Sequence, residues 1–170
     1  MMKKILVAYD FEEQSKRALK TAIQMAKNGY GEIYLVTSVE RPGKTIDENT
    51  RKYYERILEE AEARAKKDGV AVPAEVMYEI MKGLKGHTLI DYEKVLEDVA
   101  AEAKAEGVSI RTKVLYGSKP GESIVEFAQQ EKIDIIALGS NNRGPLDKFF
   151  LGSVSSYVTV KSDSAVLVIK

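Results

Sequence analysis

The chain of 170 residues contains no cysteine. That absence excludes a disulfide framework, a thiolate nucleophile and a cysteine-ligated zinc site. Histidine is nearly absent too: His87 is alone, in Lys85-Gly86-His87-Thr88, with no partner motif to make it a ligand or a base. Net charge is missing as well. Lys plus Arg and Asp plus Glu both number 26, which argues against nucleic acid or another polyanion as the partner. No apolar stretch approaches the length of a membrane span. The apolar run at the amino end, Ile5 to Tyr9, stops at Asp10 and is too short for a signal-peptide core, which predicts a cytoplasmic protein without membrane contact.

What remains is a soluble composition, 44% hydrophobic and 31% charged, in a chain of ordinary single-domain size. Short continuous apolar runs occur at 5–9, 33–39, 134–138 and 165–169, as in strands buried on both faces. Between the first two, Ala18, Leu19, Ala22, Ile23, Met25 and Ala26 recur at helical spacing until Asn28-Gly29 and Gly31. Strands alternating with helices predict a parallel, doubly wound α/β sheet with helices on both faces.

Segment 54–78 resembles segment 92–116 at an offset of 38, with 11 of 25 positions identical. The identities run past the charged helix into Gly69/Gly107, Val70/Val108, Val76/Val114 and Tyr78/Tyr116, so a duplicated helix-strand unit is expected. The second copy leads directly into Gly117-Ser118-Lys119-Pro120 and reads as part of the core sheet. The first, with Pro73 in its apolar stretch, reads as an edge strand or peripheral arm within an insert at about 44–91.

The segment from Gly139 to Ser155 carries the chemistry. It starts where a buried strand ends and closes on a helix start at Gly152-Ser153. Gly139 and Gly144 offer positive φ and close approach of backbone to a ligand. The free N–H groups of the helix start favour an anion, and Ser153 and Ser155 add hydroxyls, so the segment reads as a phosphate cradle. Arg143 and Lys148 are candidate phosphate contacts or plain solvated charges. No Walker lysine follows the glycines, no Gly-x-Ser-x-Gly elbow occurs, and the carboxylates at 55–62 and 93–98 match no EF-hand loop. No protein metal site and no catalytic residue are expected.

This segment resembles the loop of ATP-binding universal stress proteins: Gly, two residues, Gly, nine residues, then Gly-Ser or Gly-Thr. Gly139 and Gly152-Ser153 stand at the family's outer positions. The middle position is Asn142, a departure, although Asn tolerates the left-handed region better than other residues with a side chain. Lys4 to Phe11 resembles the family's first strand and its aspartate, 33–39 its second strand, and Tyr116 to Pro120 with Ile124 its Gly-x-Pro turn. The resemblance implies five parallel strands in the order 3-2-1-4-5, adenine nucleotide alpha hydrolase-like. It also implies that Ala8, Tyr9, Asp10, Ser38, Val39, Leu138, Gly139, Asn141, Asn142, Arg143, Gly144, Gly152, Ser153, Val154 and Ser155 surround ATP, with Mg2+ carried on its phosphates. A homodimer through the last strand, 165–169, is implied in the same way. For Asp10 a helix-capping role stands beside the ligand role. Two alternatives stay open: a dimeric interaction module without nucleotide, suggested by Asn142, and a slow ATPase.

Overall fold

The computed structural model describes residues 3–39, 48–70, 72, 76–77, 80, 92–140 and 151–170. Five strands, β1 (Lys4–Ala8), β2 (Glu32–Val39), β3 (Ile110–Tyr116), β4 (Ile135–Gly139) and β5 (Ala165–Ile169), form one sheet. All pairs are parallel and the order is β3-β2-β1-β4-β5, as expected. The α-helices whose bounds lie among the described residues are α1 (Glu13–Met25), α2 (Glu48–Asp68), α3 (Tyr92–Ala105), α4 (Pro120–Glu131) and α5 (Ser153–Lys161).

Strand alternation sorts the core into two halves. Ile5, Val7, Ile33, Leu35, Ile110 and Val114 face α1 and α3, where Leu19, Ile23, Leu96 and Ala100 meet them. Leu6, Val36, Ile136 and Leu138 face α4 and α5, against Ile124, Val125, Ala128 and Val158. β1 is flanked by strands and covered by helices, so Ile5, Leu6 and Val7 have no exposed surface. The chain winds outward from β1 through β2 to β3, then returns to β4 on the other side. The switch point therefore lies between β1 and β4, where such sheets bind ligands at their carboxyl ends.

α1 buries Ser15, Ala18, Leu19, Ala22 and Ile23, one stripe at helical spacing. It continues as a π-helical turn, Ala26–Tyr30, and then reverses through Gly29 and Gly31. Gly31 has φ +116, and a Cβ built on it would lie 1.7 Å from the Lys3 carbonyl oxygen, which accepts from the Glu32 N–H to begin the β1–β2 pairing.

The duplicated segment shares more than sequence. Gly69 (φ +67) and Gly107 (φ +79) end α2 and α3 in the same left-handed cap. The following valine N–H returns to the same alanine in each copy, Val70 to the Ala65 carbonyl at 3.0 Å and Val108 to the Ala103 carbonyl at 3.4 Å. Beyond the cap the copies part. Val108 is buried and leads into β3, whereas Val70 is 61% exposed and residues 76–77 are helical. The edge-strand alternative for the first copy therefore does not hold at 76–77, since the strand equivalents Val114 and Leu115 sit in the sheet and Val76 and Met77 do not. One physical reason is in the sequence. Pro73 stands at the repeat position of Arg111 in β3 and has no N–H to give a ladder.

Gly31→Ala should be far more costly than Gly29→Ala. Both introduce a side chain at positive φ, a cost of about 1–2 kcal/mol, but Gly29 has open space around its missing Cβ while Gly31 meets Lys3 backbone. Urea unfolding is expected to show a further loss of about 1–3 kcal/mol for Gly31→Ala. Equal losses would contradict this packing.

Candidate functional site at the carboxyl ends of the strands

The turn from β1 into α1 is built by two buried aromatics. Tyr9 extends the pairing with β2 by donating its N–H to the Val36 carbonyl at 2.7 Å. Phe11 adopts φ 68, a left-handed conformation rare for a bulky residue. The strain, about 1–2 kcal/mol, is offset by burial of the ring, worth about 1.5–3 kcal/mol. The two rings pack edge to face at 4.9 Å beneath α1. With Tyr9 and Phe11 both directed inward, Asp10 between them is exposed at the crevice.

Asp10 is held by the start of α1. Its Oδ1 accepts from the Glu12 N–H at 3.1 Å, and its own N–H donates to Ser15 Oγ at 3.3 Å. Ser15 Oγ in turn donates to the Glu12 carbonyl at 2.9 Å. The helix N-cap is Glu12, so Asp10 closes the turn ahead of the helix rather than capping it.

On the other side of the switch point, Gly139 ends β4 in ordinary strand conformation. The positive-φ glycines among the described residues are Gly29, Gly31, Gly69 and Gly107, so the conformational freedom expected of Gly139 is not what it uses. It uses the missing side chain. A Cβ there would lie 2.6 Å from Gln14 Cβ, 2.9 Å from the Gln14 carbonyl carbon and 2.9 Å from the Ser15 nitrogen. The first turn of α1 rests on this glycine. Its carbonyl accepts from Ser155 Oγ at 3.0 Å, which ties α5 to the same point. Ser140, with no exposed surface, donates its N–H to the Ile169 carbonyl at 2.7 Å and extends β4 along β5.

α5 starts at Ser153 with Gly152 as N-cap, and no side-chain cap hydrogen bond closes it among the described residues, the arrangement in which first-turn N–H groups can meet an anion. Ser153 is exposed and Val154 packs on the α4/α5 side of the core. Ser155 is buried and its proton is engaged by Gly139. At the end of β2, Val39 packs toward α1 and α3, and its carbonyl accepts from the Gly117 N–H at 2.9 Å. Ser38 faces the opposite way. Its hydroxyl oxygen is buried without a hydrogen-bond partner among the described residues. Tyr92 and Tyr116 flank the end of β3, and burial, with Tyr116 adding to it, holds the Tyr92 phenol above its usual pKa.

The structure thus brings Ala8, Tyr9, Asp10, Ser38, Val39, Leu138, Gly139, Gly152, Ser153, Val154 and Ser155 to the carboxyl edge of the sheet or its adjoining helix start. Asn141, Asn142, Arg143 and Gly144 lie outside the described residues, as do His87 and Lys148. Residues that sequence reasoning did not single out are Gln14, Ser15 and Ser140. Ser15 had a signal, a hydroxyl on the apolar stripe of α1 where a buried polar group needs a partner. Among the described residues there is no group of three or more His, Asp or Glu able to hold a metal ion. No described helix is long and apolar enough to cross a membrane.

The universal stress protein family profile matches residues 1–170. The stress response protein NhaX of Bacillus subtilis (strain 168) is 33% identical over 172 residues, covering 98% of this chain and 97% of that protein. The solved structure of MJ0577, a universal stress protein of Methanocaldococcus jannaschii, superposes with a TM-score of 0.61 at 26% identity, covering 100% of this chain and 96% of that one. A universal stress protein solved in complex with cAMP has a TM-score of 0.61 at 20% identity, covering 99% and 97% of the two chains.

Gly139→Ala should move the first turn of α1, because neither Gln14 backbone nor Ser15 backbone can retreat cheaply. A stability loss of about 1–3 kcal/mol is expected in urea unfolding. Ser155→Ala, which frees one carbonyl and removes one buried hydroxyl, should cost about 1–2 kcal/mol. A neutral Gly139→Ala would show that the helix start does not depend on this contact.

Proposed function

Since this chain belongs to the universal stress protein family, we propose that it is an adenine-nucleotide-binding regulatory module that holds ATP at the carboxyl ends of β1, β2 and β4. The observation that carries the reading is the convergence of Asp10 and the uncapped start of α5 on the β1–β4 switch point. The helix start supplies N–H donors and a positive dipole end for phosphate. Ser153 adds a hydroxyl. In this reading the segment 139–155, whose sequence has Asn142 where the family pattern has glycine, supplies the remainder of the cradle. Mg2+ would ride on the phosphates. A nucleotide complex in a relative of the same fold is consistent with this reading.

A second reading, an interaction module without nucleotide, is favoured by one specific observation: Gly139 and Ser155, two of the expected ligand contacts, are both engaged within the protein. The chemistry of a slow ATPase would need a base that none of the described crevice residues supplies beyond the Asp10 carboxylate. Protein purified without added nucleotide, denatured and assayed for released adenine nucleotide, separates the first two readings. In the binding reading, Gly152→Val weakens ATP at least tenfold, about 1.4 kcal/mol, and unchanged affinity removes the helix start from the site.

The partner of β5 is a second copy of this chain. β5 is the outer strand on its side of the sheet. Val166 and Val168 lie toward α4 and α5, and Leu167 and Ile169 toward α1, all partly exposed. An apolar edge of this kind is an aggregation hazard unless paired, and pairing about a two-fold axis closes it. Val168→Asp should shift the protein toward monomer in light scattering, and a monomeric parent at micromolar concentration excludes the dimer.

A further inference from the structure

We propose that Ser15 is a positioning residue of the nucleotide site: its hydroxyl sets the Asp10 carboxylate in place before a ligand arrives, and its effect on affinity passes through that carboxylate. The inference deepens the nucleotide-binding reading and rests on it. The starting observation is a closed circuit of three hydrogen bonds around the turn from β1 into α1. The Asp10 N–H donates to Ser15 Oγ at 3.3 Å, Ser15 Oγ donates to the Glu12 carbonyl at 2.9 Å, and the Glu12 N–H donates to Asp10 Oδ1 at 3.1 Å. Each residue gives one bond and receives one, and bonds linked in this way polarise one another. Removing the Ser15 hydroxyl opens the circuit at two of its three bonds.

The Glu12 carbonyl does not need the serine. It already accepts the Lys16 N–H at 3.1 Å, a helical bond of the first turn of α1. The second bond to that carbonyl therefore acts on the hydroxyl. With its proton engaged by Glu12, Ser15 Oγ presents its lone pairs to the Asp10 N–H. The carboxylate is oriented by the same circuit. Its Oδ1 is held by the Glu12 N–H, and among the described residues no hydrogen bond engages Oδ2, on a side chain that is exposed. One oxygen is tied to the protein and the other is left for a ligand.

Ser15 is itself anchored. It lies on the buried stripe of α1 and is 1% exposed. Its backbone nitrogen lies 2.9 Å from where a Cβ on Gly139 would stand. The Gly139 carbonyl in turn accepts from Ser155 Oγ, in the first turn of α5. Asp10 is thereby referenced, through Ser15 and the end of β4, to the helix start that holds phosphate in this reading. A serine with only a local role would satisfy its own hydroxyl on the helix backbone and stop there. Here the hydroxyl joins a ligand residue to the far wall of the crevice, in a turn that also keeps Phe11 left-handed. A carboxylate fixed beforehand has little rotamer freedom left to lose when a ligand binds.

The test titrates ATP into the unmodified full chain, Ser15→Ala, Ser15→Thr, Asp10→Asn and the Ser15→Ala/Asp10→Asn double variant, and records the ligand-free thermal midpoint of each. Ser15→Ala is expected to weaken ATP about tenfold, about 1.4 kcal/mol. Made on Asp10→Asn, the same change should weaken ATP less than about twofold, because the carboxylate it acts through is gone. Ser15→Thr keeps a hydroxyl and should stay within about threefold of the parent. Ser15→Ala should also melt lower, since the residue 10 N–H loses its acceptor, and by the same amount in both backgrounds. Equal ATP losses with and without the carboxylate make Ser15 structural and overturn the inference. So does a threonine variant that loses as much as alanine, or an Asp10→Asn variant with unchanged affinity. Amide exchange of the unmodified chain depends on no variant folding: the Asp10 N–H should be protected before ATP is added, and protection that comes only with ATP overturns the pre-set turn. A parent that binds no ATP sinks the nucleotide reading, and this inference with it.

Discussion

The crevice depends on one close approach, the first turn of α1 resting on Gly139 where a side chain would have been. That contact sets how α1 leaves β1, and hence where Asp10 stands. Through Ser155 and the Gly139 carbonyl it also fixes the start of α5. Two segments far apart in sequence are thereby registered on one strand end. The constraint is steric, not attractive: any residue but glycine at 139 would push the helix and the turn apart. The hydrogen bonds among Asp10, Glu12 and Ser15 then hold what the packing allows.

The duplicated segment shows how little local sequence decides once a cap is made. Both copies form a charged helix, both end it at a left-handed glycine, and both return the following valine N–H to the same alanine. Their fates diverge with burial. Leu96 is completely covered and its counterpart Leu58 is only partly so. Ile110 finds β2 beside it, and Pro73 in the first copy removes an N–H where the second copy has Arg111. Helix and cap are local and propagate with the repeat; strand formation needs a vacant ladder, and β2 has one free side, already taken by β3.

Much of the fold was legible because its signals are local and periodic. The uninterrupted apolar runs became β1, β2, β4 and β5, and the stripe of Ala18, Leu19, Ala22 and Ile23 became the buried face of α1. The strand order came from the resemblance carried by Gly139 and Gly152-Ser153, and the observed sheet agrees with it. The candidate site was legible as positions but not as roles. Gly139 looked like a residue for ligand approach, and its spacing cannot disclose that α1 fills the space, because Gln14 is 125 positions away. Ser155 looked like a ligand hydroxyl and spends its proton on Gly139. Phe11 gave no sign of a left-handed conformation, since nothing in the residue type favours one; burial of its ring, packed against Tyr9, offsets the strain.

Among the described residues, one left-handed aromatic and one unpartnered buried hydroxyl share a location. Phe11 in a left-handed conformation and Ser38 with an unpaired hydroxyl both lie at the carboxyl edge of β1 and β2. At the opposite edge the polar groups are matched: Lys4 donates to the Glu131 carbonyl and the Lys4 backbone N–H to Asp134, while Glu32 pairs with Arg111. Lys132 is left-handed too, φ 54, at the opposite edge, but it is the C-cap of α4 and its N–H returns to the Ala128 and Gln129 carbonyls, so its conformation ends a helix. Phe11 ends no helix. The proposed binding edge accounts for that difference, since groups held ready for a ligand cannot also be satisfied by the protein.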